Sequence, residues 1–173
     1  MRPRGGRARP GGGSRRSGGA GPRPIVPARF GAPLGLYAHG VVAHPGELVV
    51  VAGQVGMDAG GQVAGTDVVA QARQALENVR AVVEAAGAAM RDVVRFQTFL
   101  TRPEDIAGFM KARADVFPEY FPEGGYPPNT LLVVSRLVRP ELLVEIEALA
   151  IVPRRHGAAR RRQTSRRTSR RKS

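Results

Sequence analysis

Asp67-Val68-Val69-Ala70-Gln71-Ala72-Arg73-Gln74-Ala75-Leu76-Glu77-Asn78-Val79-Arg80-Ala81-Val82-Val83-Glu84-Ala85-Ala86-Gly87 reads as one long amphipathic helix. Val68, Val69, Ala72, Ala75, Leu76, Val79, Val82, Val83 and Ala86 recur at three- and four-residue intervals. That spacing lays a single wide apolar stripe along the helix. Thr66 is the expected N-cap, Asp67 puts an acid in the first turn, and Gly87 fits the stop position. A stripe of this kind needs a sheet or another helix to cover it.

Strands flank the helix on both sides. Glu47 to Gly53 contains Leu48-Val49-Val50-Val51, a short β-branched run, and Gly60-Gly61 marks the loop that follows. Val93 to Leu100 is the next strand, with Val94, Phe96, Thr98 and Leu100 on one face. Thr101 and Glu104 have the spacing of a capping box, and Pro103 suits a first helical turn. A second helix then runs to about Tyr120, its apolar face marked by Ile106, Phe109, Met110, Val116, Phe117 and Tyr120. Pro122 and Gly124-Gly125 end it. Thr130 to Leu137 and Leu142 to Val152 read as the last two strands. Leu36 to Val42 reads as the first strand, turning at Pro45-Gly46.

The expected fold is α+β in the order β-β-α-β-α-β-β. Right-handed crossovers put both helices on one face of the sheet. In the last strand Leu142, Val144, Ile146, Ala148 and Ala150 share a face, and Leu143, Glu145, Glu147, Leu149 and Ile151 share the other. An uncovered face with Leu149 and Ile151 on it points to burial against partner subunits.

Charge divides the chain into three parts. It has 27 basic and 14 acidic residues, a net charge of +13. Seven arginines precede residue 25, and nine arginines with Lys172 follow residue 153, with no acid in either segment. The centre keeps ten basic and fourteen acidic residues, a balance near −4. Residues 1–26 and 154–173 are therefore expected to be disordered tails, flanking one domain over 27–153. The tails suit weak, salt-dependent, nonspecific nucleic-acid contact; the alternative is solvated extensions without a role. The chain lacks cysteine, which excludes disulfides and thiolate chemistry. His39, His44 and His156 are too scattered for a metal cluster. No apolar run approaches the roughly 20 residues that span a bilayer, and no secretory signal is visible. A soluble cytoplasmic protein is the expectation.

Several stretches resemble one family. Val51-Ala52-Gly53-Gln54-Val55, Gln71 to Val79, Ala85-Ala86-Gly87, Asp92-Val93-Val94, Ser135-Arg136-Leu137 and Val144 to Ala150 look, in that order, like the signatures of the RidA (YjgF-type) proteins. The resemblance covers roughly 29–152. It implies a chorismate-mutase-like fold, a homotrimer with ligand clefts at subunit interfaces, and no cofactor. It also implies hydrolysis of reactive 2-imino and enamine acids to 2-keto acids and ammonia.

Such a substrate carries a carboxylate beside an electrophilic carbon. Its hydrolase needs a carboxylate clamp, a positioned water and a proton shuttle. In the deaminating members the clamp is an arginine in a Pro-x-Arg-Ser/Thr pattern. Here the segment reads Pro127-Pro128-Asn129-Thr130, so Asn129 stands at the arginine's position. Asparagine cannot form a charged bidentate pair, which counts against the usual 2-imino acid activity. Arg136 and Arg139 fall too late to compensate, and Arg95 alternates away from its strand's apolar face. Glu145 matches the family glutamate that orients the attacking water; otherwise it is a strand-face carboxylate paired with an arginine, and Glu147 shares that ambiguity. Tyr37 matches a cleft-lining tyrosine, against ordinary packing of an amphipathic ring. Thr130 can offer its hydroxyl or N–H to an anion. His39 reads as structural, and Gly53 and Gln54 as serving turn geometry and backbone bonding. Two functions follow: a cofactor-free hydrolase of an imine, enamine or related C–N compound, or a non-catalytic binding or sensing protein on the same scaffold.

Overall fold

The computed structural model describes residues 21–29 and 31–154. The elements in chain order are β1 (Arg23–Ile25), β2 (Gly40–Val42), β3 (Gly46–Val55), α1 (Val68–Ala85), β4 (Val93–Leu100), α2 (Ile106–Tyr120), β5 (Asn129–Val133) and β6 (Val144–Pro153). The main sheet has four strands in the order β3-β6-β4-β5. β6 is antiparallel to both neighbours, and β4 and β5 are parallel. Both helices bury their stripes in one core with Phe96, Leu100, Val144, Ile146 and Ala148 of the sheet. No helix among the described residues is long and apolar enough to cross a membrane.

The α+β order holds, with one strand added at the front. β1 and β2 form a separate two-stranded ladder. The strand expected over Leu36–Val42 shrinks to Gly40–Val42 because the backbone before it is engaged elsewhere. Tyr37 N–H donates to the Gly35 carbonyl in a tight turn, and the Leu36 carbonyl accepts from Arg113. β1 lies inside the span 1–26 expected to be disordered, so the folded part starts earlier than the charge pattern suggested. The rest of both tails, 1–20 and 155–173, lies outside the described residues.

The helix ends also differ from expectation. Asp67, not Thr66, caps α1: its carboxylate accepts from Val69 and Ala70 N–H at 2.9 and 3.0 Å. Gly87 ends the helix at φ +86°, where its N–H reaches the Glu84 carbonyl and Ala88 N–H the Val83 carbonyl. The capping box at Thr101 and Glu104 does not form. Thr101 N–H donates to Leu143 and keeps Thr101 with the sheet, while a 3-10 turn over Pro103–Asp105 leads into α2. The strand expected to run to Leu137 ends at Val133, because its partner β4 stops at Leu100.

Candidate functional site

Alternation along β6 decides where each candidate side chain points. Val144, Ile146, Ala148 and Ala150 are buried under the helices. Glu145 and Glu147 therefore face the open side of the sheet. Glu145 sits opposite Val55 on β3 and Phe99 on β4. It is half-buried, and no described residue forms an ion pair or hydrogen bond with it. The arginine partnership weighed for Glu145 is not made.

A backbone irregularity makes room for this carboxylate. Register passes from Val51–Ala148 to Gln54–Ile146, so Ala52 and Gly53 both face Glu147 in a β-bulge. A Cβ built on Gly53 would overlap the Glu145 carboxylate. A side chain at position 53 would therefore displace the Glu145 carboxylate from its present place. Gln54 Nε2 donates to the Ala52 carbonyl at 3.2 Å across the same bulge.

Asn129 opens β5 opposite Phe96 and points to the other face, toward the helices. Its Oδ1 accepts from the buried Thr98 hydroxyl at 3.0 Å. Thr130, opposite Gln97, is exposed on the open side. Tyr37 is half-buried in the turn before β2; its hydroxyl accepts from Leu34 N–H at 3.3 Å and its ring meets His39 edge-on at 6.3 Å. His39 Nε2 lies 3.0 Å from the Gly31 carbonyl. Glu145 and Asn129 thus occupy opposite faces of one sheet, and a single chain does not bring them together.

The other arginines considered are placed elsewhere. Arg139 pairs with Glu141, and Arg136 bonds the neighbouring Leu137 carbonyl at 3.3 Å. Arg95 donates to Gln97 beside Glu147, in a shallow depression of about 150 Å³ that Val50, Ala52 and Leu149 complete. Among the described residues no three His, Asp or Glu side chains gather as metal ligands.

Two residues escaped the sequence reading. Gln71 is 1% exposed and ties three backbone groups: its Nε2 donates to the Gly65 and Glu141 carbonyls, and its Oε1 accepts from Leu143 N–H, two residues before Glu145. Arg113 is 2% exposed and lies with Thr98 and Asn129 around a tight, closed space between α2 and the sheet. Burial pushes its guanidinium down to about 10. The available signal was its four-residue spacing from both Phe109 and Phe117, which places a cation on the apolar stripe.

The Endoribonuclease L-PSP family profile matches residues 29–152. The chain belongs to this family, the RidA (YjgF-type) proteins. A RidA-type relative from Salmonella typhimurium, named 2-iminobutanoate/2-iminopropanoate deaminase, is 36% identical over 120 residues, which is 69% of this chain and 90% of the relative. Among solved structures, a Rid-family protein of unknown function from Yersinia pestis is similar with TM-score 0.66 and 35% identity, covering 76% of this chain and 99% of that one. The TdcF protein of E. coli with bound serine is similar with TM-score 0.57 and 31% identity, covering 76% and 92%. The two-helix, mixed-sheet architecture is that of the RidA fold.

Proposed function

We propose that the protein is a cofactor-free hydrolase of an imine, enamine or related C–N compound, working in clefts formed between copies of the chain as a homotrimer. The observation that carries this reading is Glu145: an uncommitted carboxylate, held over a glycine gap on a sheet face that needs covering. Acting as a general base, Glu145 takes a proton from water as its oxygen adds to the C=N carbon. Glu145 hands that proton to the nitrogen, and the amino-alcohol formed then gives up its hydroxyl proton to the nitrogen, expels ammonia and leaves a carbonyl. Tyr37, Asn129 and Thr130 would contact the substrate. Because Asn129 and Glu145 point away from each other in one chain, a neighbouring copy supplies one of them. The deaminase name of the Salmonella relative supports the reaction class. The family's endoribonuclease name fits less well, since the folded part has a charge near −4 and Glu145 and Glu147 share the open face with one arginine, Arg95.

The test measures ammonia and keto-acid release from freshly generated 2-iminopropanoate and 2-iminobutanoate. It compares the native protein with Asn129→Arg and Glu145→Gln. Activity in the native protein that Glu145→Gln abolishes supports the hydrolase. Activity in Asn129→Arg alone means a competent scaffold turned to another ligand. Activity in neither, together with a metabolite that protects against thermal unfolding, favours the binding or sensing protein, for which the asparagine at position 129 already argues.

A further inference from the structure

Both ends of the described chain meet at one corner of the fold. On the N-terminal side Gly21 lies against the 3-10 turn over Met90–Asp92, where a Cβ added to it would stand 3.4 Å from the Arg91 carbonyl oxygen. On the C-terminal side Pro153 and Arg154, at the end of β6, share a cavity of about 460 Å³ with Arg91, Asp92 and Glu47. Strand register places them there, since Pro153 pairs with Gly46 at the start of β3 and Ala150 with Val93 at the start of β4. Residues 1–20 and 155–173 therefore leave the fold beside the same residue, Arg91.

Positive charge gathers at this corner. Residues 1–20 carry six arginines, residues 155–173 carry eight arginines with Lys172, and neither segment has an acid. Arg91 and Arg154 are exposed, and no acid among the described residues forms an ion pair with either. Asp92 is buried and engaged: its carboxylate accepts from Ala89 N–H at 2.9 Å and lies 3.7 Å from His44 Nε2. Glu47 is the one exposed acid lining the cavity. The family profile spans 29–152 and leaves both segments out, so the chemistry of the fold does not account for them.

Composition selects the partner. All but one of the basic side chains in the two segments are arginine, whose planar fork meets a phosphate bidentately. Neither segment has Phe, Tyr or Trp, so neither offers a ring on which unpaired bases could stack. Neither has Leu, Ile or Val, so neither offers an apolar face to a bilayer. A paired-strand backbone, dense in phosphate and held without stacking, suits such segments best.

We propose that the two arginine-rich segments, with Arg91 and Arg154 at their root, form one bipartite site for the phosphate backbone of duplex DNA. Starting from one corner, both segments engage the same stretch of backbone, and the second contact forms at the effective concentration that the first sets. Binding is independent of base sequence and driven by counterion release. It is separate from the site at Glu145 and holds whether or not substrate is turned over there.

The experiment is an anisotropy titration of a fluorescent DNA duplex with the full chain across a salt series. The native chain binds, and loses about a thousandfold in affinity between about 50 and 200 mM salt, as six or more phosphate contacts require. Replacing the arginines of 1–20 with serine, or those of 155–173, weakens binding by more than about tenfold in each case and flattens the salt dependence. Arg91→Glu combined with Arg154→Glu weakens it by about tenfold with both segments intact, because reversed charge at the root repels the phosphates. Both positions are exposed, so the melting temperature stays at the native value. Binding that is absent in the native chain, or that one segment supplies alone, overturns the proposal. So does saturation at two duplexes per chain, which would make the segments separate sites, and so does a double Glu variant that binds as the native chain does. Single-stranded DNA of equal length, or phosphatidylserine vesicles, held as tightly as the duplex would also overturn it.

Discussion

Gly53 and Glu145 act as one feature, since the carboxylate occupies the volume that any side chain at position 53 would fill. Gly53→Ala is expected to lose most turnover while keeping secondary structure, and to cost little stability, because the unpartnered Glu145 carboxylate swings aside. Steady-state kinetics and a urea midpoint check both parts; full activity would show that Glu145 does not need its present place. Arg113 allows a prediction with a sign. Burial holds its folded pKa at about 10, well below the ordinary arginine range. At neutral pH both states carry the proton and the folded state bears the desolvation cost, about 3 kcal/mol. As pH rises above about 10, the folded state releases its proton before the unfolded one does, so this group's contribution to stability increases. Arg113→Met at pH 7 removes the cost along with the Leu36 hydrogen bond, which is worth about 1.5–3 kcal/mol, so its stability should stay within about 2 kcal/mol of native. The native protein should gain on the variant above about pH 10. Urea unfolding at pH 7 and 10.5 measures both; a large loss at pH 7 would make Arg113 a packing residue. The outward face of Glu145 was legible because alternation along β6 sets it; its separation from Asn129 was not, because a motif carries no strand register. Arg113 was not, because a cation in an amphipathic helix is ordinarily assigned to solvent, and Gly53 was not, because a bulge leaves no mark in a period-two pattern.

At the scale of elements the helices and central strands were readable because long periodic runs leave few alternatives. The βαβ core over β3, α1 and β4 lies where its apolar spacing put it. Element ends were less readable, since several residues compete for one role. Thr66 and Asp67 are both good caps; the extended backbone of Asp67, at φ −114° and ψ 154°, gives it the position. Asp67→Ala should therefore cost about 1 kcal/mol and Thr66→Ala close to nothing, measured by thermal unfolding at neutral pH. The reverse order would restore Thr66 as the cap. Gln71 matters for the site through the same helix. By holding Gly65, Glu141 and Leu143 to α1, it fixes the start of β6 and hence the height of Glu145 on the sheet. The first strand failed as an expectation because a β-like run needs a ladder partner, and Leu36 gives its carbonyl to α2 instead.

For the molecule as a whole, the open sheet face sets the problem. Leu48 and Val50 are 60% and 69% exposed and Leu132 is 42% exposed, on the same side as Leu149, Ile151 and Phe99. Apolar groups of this kind on one face, parted by the Glu147–Gln97–Thr130 row, suit an interaction surface, and a closed symmetric assembly of the chain would cover them without further components. Val50→Asp places a charge on that face in every copy, and burying several unpaired carboxylates costs more than the lost apolar area returns. Light scattering should then report a mass near the single chain's 18.5 kDa, where the native protein gives a multiple of it. A native mass already at one chain would end the argument. If the assembly forms the site, Tyr37, whose turn is bonded to α2 on the face opposite Glu145, reaches the same cleft from a neighbouring copy. Glu145→Gln and Tyr37→Ala should then each be inactive, while equal amounts unfolded and reassembled together regain roughly a quarter of native turnover, the share of clefts that receive one intact residue from each side. Two residues belonging to the same chain's site would give no recovery, so the mixing experiment separates a cleft between subunits from a site within one.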